Sequence, residues 1–377
     1  MIVANVRDPG AWSAFCARLE AVIAILMLAP STMAASINWE GGVTVVYQDA
    51  NDSRVDAELT ASADLIGTLP MERGEWLLYV EGSSSASADG LSALYPTANG
   101  DASSLLTSDG DGGIQISELN FTWSLDGGRS LMLGLIDPSA WLDRGRIAND
   151  ENRQFLNGSF VNNSTIEFPD YTLGGILRMP GNESRPEMTF ILGGSDGIAD
   201  LPDRSYQDLL DVTSEGRGVF AAVGASWLFE HASWRVGTWL RSDDHVVLGN
   251  DAEIDVNYGI YGVFGWRAGP HAINLRAGVA NREVAIASDF VGLAYQRRIR
   301  FGLLGLGAAR TTIAEDSQPT RREHGFDSEL YLRIPLFGGA AHVTPSIQYI
   351  EIPELRVPEP APASSTTVIG VRFHWSF

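Results

Sequence analysis

The sequence predicts an all-β protein, a transmembrane antiparallel β-barrel of about 16 strands with long external loops. Three observations predict it. Apolar and polar residues alternate with period two in segment after segment. The connections between those segments are sorted by length, short and long in turn. The last segment alternates to the end of the sequence, the aromatic Phe377.

Composition narrows the class. With 45% hydrophobic residues the 377-residue chain is too apolar for disorder. It has 47 acidic and 26 basic residues, a net charge of -21, which excludes a nucleic-acid surface. Every basic residue is Arg; there is no Lys. The single cysteine, Cys16, excludes a disulfide framework and a cysteine-ligated metal site. Forty glycines, ten tryptophans and ten tyrosines suit many strands joined by tight turns.

The first element is an export signal. The apolar run from Ala21 to Ala29 is followed by Pro30 and the small residues around Ala34 and Ala35. Nine residues are too few for a helical span, which needs about 20. A short apolar core followed by small residues reads as a cleaved leader over 1–34, leaving 35–377 as one barrel domain.

Strands then begin near Gly41, Ala57, Glu75, Ile114, Ser130, Tyr171, Glu187 and Val219. The second half begins near Trp234, Asp255, Ile273, Phe290, Gly302, Phe326, Ala341 and Thr366. The tenth shows the pattern well: Tyr258, Ile260, Phe264 and Trp266 on one face, Asn257, Gly259, Tyr261 and Arg267 on the other. Connections after even-numbered strands are short, as in Asp126–Arg129 and Phe337–Ala340. Those after strands three, five and seven are long, spanning Gly82 to Gly113, Asp137 to Asp170 and Asp196 to Gly218. The other odd-numbered connections read as intermediate. A soluble sandwich has no reason to sort its loops by parity. An outer-membrane barrel does, with short turns on the periplasmic side and long loops outside. An even strand number returns both ends to one side, and closure removes edges that lipid could not satisfy.

The final strand places Ile369, Val371, Phe373, Trp375 and Phe377 on one face. A terminal aromatic in this setting resembles the signal that outer-membrane barrels present to their assembly machinery. The expected location is the outer membrane of a Gram-negative bacterium, with its lipid and that machinery as partners.

The third external connection carries a distinctive run: Asp137-Pro-Ser-Ala-Trp141-Leu-Asp143, then Ala148-Asn-Asp150-Glu151, Gln154-Phe155-Leu-Asn157 and Phe160-Val-Asn162-Asn163. It resembles the loop signature of the carbohydrate-selective porin family (the OprB type), entered through Gly134-Leu-Ile-Asp137. Arg144-Gly145-Arg146 departs from that pattern by being basic. The resemblance implies a third loop folded into the lumen, with Asp137 to Asn163 setting its narrowest point. The residues agree, because more than 30 positions without a strand need a packing partner. Asp150, Glu151, Gln154, Asn157, Asn162 and Asn163 are then candidates either to tie the loop to the wall or to meet a solute.

Passage of a neutral sugar asks for aromatic faces against its C–H groups and planar polar groups for its hydroxyls. Strand parity turns Arg178, Arg235, Arg241, Arg267, Arg276, Arg282, Arg333 and Arg372 inward, with Glu81, Glu118, Asp255 and Glu329. The inward aromatics are Tyr79, Trp239, Tyr261 and Tyr331. Arg235, Trp239 and Arg241 share one face of the ninth strand and form the best local cluster; Tyr261, Arg276 and Arg333 complete the solute contacts expected. A polar lumen needs such residues for stability as well, and a conducting site must release what it holds.

The function expected is passive diffusion of small carbohydrates, with no cofactor and no metal. The alternative is a general diffusion porin whose acidic loops, such as Ser108–Gly112, lend mild cation preference. A plugged envelope or adhesion barrel is a third reading. Both monomer and homotrimer fit the pattern. An enzyme is not expected. Gly193-Gly194-Ser195-Asp196-Gly197 fits G-x-S-x-G only formally, since no helix pattern follows, and the six histidines lack ligand spacing.

Overall fold

The computed structural model describes residues 36–101, 112–182, 184–200, 205–214, 216–315, 318–353 and 363–377. The expected leader over 1–34 and the acidic positions 108–111 lie outside them. Sixteen antiparallel strands close into one barrel. In order they are β1 (Asn38–Ala50), β2 (Glu58–Met71), β3 (Gly74–Ser83), β4 (Ile114–Ser124), β5 (Ser130–Ile136) and β6 (Thr172–Met179). There follow β7 (Glu187–Gly194), β8 (Val219–Leu228), β9 (Ala232–Val247), β10 (Asn250–Ala268) and β11 (His271–Ala280). The last are β12 (Ala287–Ile299), β13 (Gly302–Glu315), β14 (Gln318–Leu336), β15 (Ala341–Glu351) and β16 (Ser365–Ser376). Each strand pairs with its sequence neighbours, and β1 pairs with β16. The seam is finished by Gly41 and Phe377, each donating its N–H to the other's carbonyl at 3.0 Å.

Period-two patterning assigns the two faces. On β9, Trp234, Val236 and Leu240 are exposed on the outside, while Arg235, Trp239 and Arg241 face in. Outward apolar side chains such as Leu293, Leu306 and Ile369 form the lipid belt. At the end with the short turns, Trp76, Phe121 and Trp123 meet edge-to-face at 5.0 and 4.6 Å, and Trp375 meets Phe377 at 5.5 Å. Tyr47, Tyr258 and Tyr349 are exposed toward the other end. These two bands are the aromatic girdles of a spanning barrel. No helix among the described residues is long and apolar enough to cross a membrane.

Two connections differ from the sequence reading. β10 starts at Asn250 rather than near Asp255, and β14 starts at Gln318 rather than near Phe326. The connection between β9 and β10 is therefore not intermediate but the tight turn Leu248–Gly249, closed by Gly249 at φ +76°. Above the lipid belt both faces of a strand meet water, so the alternation that marks strand limits disappears. Arg282 also departs from parity. It follows β11 and pairs with Asp289 at 2.9 Å on the outer surface.

Inside, the barrel is packed rather than empty over much of its section. The long segment between β5 and β6 folds inward against two apolar clusters on the wall. A third cluster, around Leu91, Leu94 and Tyr95 with Ile350 and Val368, seats the segment between β3 and β4 beside it.

Candidate solute passage

The inner loop, residues 137–171, is built from its backbone outward. Asp137 accepts from Ser139 N–H at 2.8 Å and its hydroxyl at 3.0 Å, starting the helical turn Ser139–Leu142. Leu142 is buried among Ile136, Ile166, Ile176, Phe220, Trp239 and Tyr261. Asp143 follows, buried, with Arg276 Nε at 3.0 Å from one oxygen and Asn163 N–H donating to the other at 2.7 Å. Arg276 also donates to four loop carbonyls, those of Asp143 and Ala148 at 2.8 Å, Val161 at 3.0 Å and Phe160 at 3.1 Å. A planar guanidinium, with donors in a fixed fork, suits such a radial set.

The next stretch repeats the device. Arg372 donates to the carbonyls of Glu151 and Gln154, and Arg333 donates to that of Arg153 at 2.6 Å. Glu329 accepts from Leu156 N–H at 3.1 Å and Asn157 N–H at 2.8 Å. The Asn157 amide reaches Asp327 and Gln348, both at 3.2 Å. Phe155 sits between Phe160 at 4.7 Å and Tyr331 at 5.0 Å. The neighbouring segment joins here: Gly100 N–H donates to Leu156 carbonyl at 2.7 Å, and Thr97 hydroxyl to Asp327 at 2.9 Å.

Most of the expected constriction residues are thus loop supports. Asp137, Asp143, Phe155, Asn157, Phe160 and Asn163 are held in contacts within the loop or to the wall. Asp150 accepts from Asn152 and Arg153 N–H groups, and Gln154 from Asn149 N–H. Trp141 and Glu151 remain half-buried, and Asn162 is exposed.

The six expected solute contacts are placed differently from the sequence picture. Trp239 is 1% exposed, and it and Tyr261 lie beneath the loop in the apolar cluster. Arg235 donates to the Trp141 and Leu142 carbonyls at 2.9 and 3.0 Å. Arg241 is engaged by Asp243 at 2.8 Å and Glu167 at 3.2 Å. Arg276 and Arg333 hold the loop as described. Parity identifies the lumen face of a strand but not what covers it.

The uncovered side of the lumen is the opposite wall. There Tyr79 donates toward Asp64 and Glu81, both at 2.8 Å, beside half-buried Glu118. Tyr171 faces Tyr79 at 6.4 Å, edge-on. It holds φ +64°, a conformation costly for a bulky residue. Trp141 presents its ring to Arg178 at 5.1 Å. Arg153 and Arg144 are exposed on the loop. The acids gather on β2 to β4 and on the loop. Arg178, Arg235, Arg267 and Arg333 lie near the short-turn ends of their strands.

The loop carboxylates show how dry this region is. Burial, with Asp101, Asp150 and Asp64 nearby, pushes Glu151 up to about 8. Burial pushes Asp143 up to about 6 against the pull of Arg276. Glu167 goes the other way: burial opposes it, but His245, Arg241 and Asn257 hold it down to about 2. Asp64, Arg153 and Tyr171 were absent from the candidates. A lone acid in the apolar stretch around Ala63 and Leu65, and the Pro169-Asp170 turn before Tyr171, were the available signals.

Ser195 is stapled to Gly218: its N–H donates to that carbonyl and its hydroxyl accepts from that N–H, both at 3.0 Å. It is buried and followed by loop, not helix, so the strand-to-helix elbow of a hydrolase is not formed.

No protein-family model and no curated protein matches this chain. Among solved structures the chain is similar to OprB of Pseudomonas putida in its high-pH form. The TM-score is 0.69 over 98% of this chain and 97% of that one, at 11% identity. The fold is that of a porin. Similarity extends to OmpT, an outer membrane protein of Vibrio cholerae in trimer form, with TM-score 0.57, 10% identity, and coverage of 92% and 100%. A mutant of the Rh. blastica porin gives 0.55 at 12% identity, covering 91% and 100%. The porin fold accounts for the strand number, the closed sheet and the loop inside it.

Proposed function

We propose that this barrel is an outer-membrane diffusion channel for small carbohydrates, working down their gradient without energy coupling. The observation that carries the reading is the arrested inner loop. It is tied to one side of the lumen through main-chain groups and leaves Trp141, Tyr79 and Tyr171 half-buried opposite polar side chains. Aromatic rings with arginines and carboxylates beside them suit a sugar's two kinds of surface. The resemblance of residues 137–163 to carbohydrate-selective porins, and the likeness of the fold to OprB, support the same solute class.

A general channel favouring cations is the second reading. The acids Asp64, Glu81 and Glu118 along one wall favour it. Either channel would sit in the outer membrane of a Gram-negative bacterium, delivered by a cleaved leader and inserted through its Phe377 strand; a homotrimer is the assembly to test by mass.

The test is liposome swelling with the refolded barrel, comparing sugars with amino acids of matched size. Sugars entering faster at equal size supports the first reading. Entry ordered by size alone would leave only a general channel.

A further inference from the structure

A concavity of about 670 Å³ lies on the outer wall of the barrel. Two cross-strand rows form it. One runs Gly262, Ala277, Val291, Arg310 and Phe326 across β10 to β14. The other runs Ile260, Val279, Asp289, Thr312 and His324. All have the outward parity of the lipid belt, and Ile260, Val279 and Val291 are 60%, 43% and 47% exposed. Small residues at 262 and 277 make the floor, because a larger side chain there would fill the hollow.

The polar end of these rows is unusual for a belt. Arg310 is exposed on the lipid side between Val291 and Phe326, and its side chain makes no hydrogen bond or ion pair to another described residue. Arg282, paired with Asp289 through two hydrogen bonds, and His324, bonded to Thr312 at 3.1 Å, stand beside it. An outward arginine above apolar surface is costly unless an anion meets it. In a chain of net charge -21, Arg282 is met by Asp289 while Arg310 has no carboxylate beside it among the described residues, which leaves one positive charge open to an anion. This polar end lies on the side of the belt away from the short turns, toward the outer leaflet. We propose that the hollow holds one acyl chain of an outer-leaflet lipid whose phosphorylated headgroup is bound by Arg310 and flanked by Arg282. Its volume falls in the usual range for ligand sites, about 300–1,000 Å³.

The proposal rests on the outer-membrane channel reading given under Proposed function, so channel activity is measured on the same preparation. The full barrel is refolded in detergent and offered dioleoyl phosphatidic acid or dioleoyl phosphatidylcholine at equal concentration. Retained lipid is counted by native mass spectrometry. Phosphatidic acid should be retained about tenfold better, the weight of a charge-assisted contact. Arg310→Ser should bring the two lipids to parity, Ala277→Trp should lose both, and Leu293→Ala, elsewhere on the belt, should change neither. Equal retention by the unaltered barrel, an unchanged ratio in Arg310→Ser, or full displacement by inorganic phosphate would overturn the proposal. So would a dimer mass that depends on Arg310, which would place a second copy in the hollow. Retained lipid preference with no channel activity would instead sink the channel reading and leave this one standing.

Discussion

At the scale of single residues the wall arginines act as supports. Arg276 exemplifies it: its guanidinium is ion-paired with one carboxylate and its two terminal nitrogens donate to a ring of carbonyls, all in the inner loop. Arg276→Met leaves Asp143 buried and unpaired, a loss of about 3–5 kcal/mol. The expected result is faster proteolysis within 143–163 and larger, noisier single-channel conductance. Trp239→Ala removes a buried ring beneath Leu142, costing about 3–5 kcal/mol. It should raise ion and sugar flux together, because the loop loses its seat. Trp141→Ala should instead lower the ratio of sugar to amino-acid entry with little change in conductance; an equal fall in both would make Trp141 another support.

Among elements, the inner loop carries the titrating charge. Glu151, pushed up to about 8, is largely neutral at pH 7 and gains its charge as pH rises past 8. Raising pH adds negative charge to the passage, so cation permeability relative to anions should climb between pH 7 and 9. Reversal potentials across a salt gradient measure this, and Glu151→Gln should flatten the climb. The strands were legible because lipid outside and polar lumen inside impose a strict alternation. The loop's presence was legible from its length and its motif. Its covered face was not. Nothing in the pattern of β9 tells that Leu142 will lie over Trp239, because that contact joins segments with no local period in common. The tips of β10 and β14 were missed for a related reason: above the membrane no solvent asymmetry marks the faces.

For the whole molecule, closure is the decisive event. Fifteen of the sixteen pairings join strands adjacent in sequence, while β1 and β16 must find each other across the entire chain. Such a contact is slow to form and leaves two open edges until it does. Removing Phe377 deletes both hydrogen bonds to Gly41 and the ring that packs on Trp375. The refolding yield into micelles should fall several-fold while far-ultraviolet strand content is kept. Hydrogen exchange should rise first at 42–46, in the strand that meets 372–376.

The inner loop is gripped by its main chain. Arg235, Arg276, Arg333 and Arg372 read carbonyls, and Glu329 reads two N–H groups. Backbone groups survive almost any substitution. Side chains on the open edge of the loop, such as Arg144 and Asn162, can therefore change in descent without shifting its path. The arch is inherited while the aperture is free to drift. A lineage facing a new nutrient could retune its filter by a few surface exchanges, and related barrels should keep the wall anchors long after the loop edge has diverged.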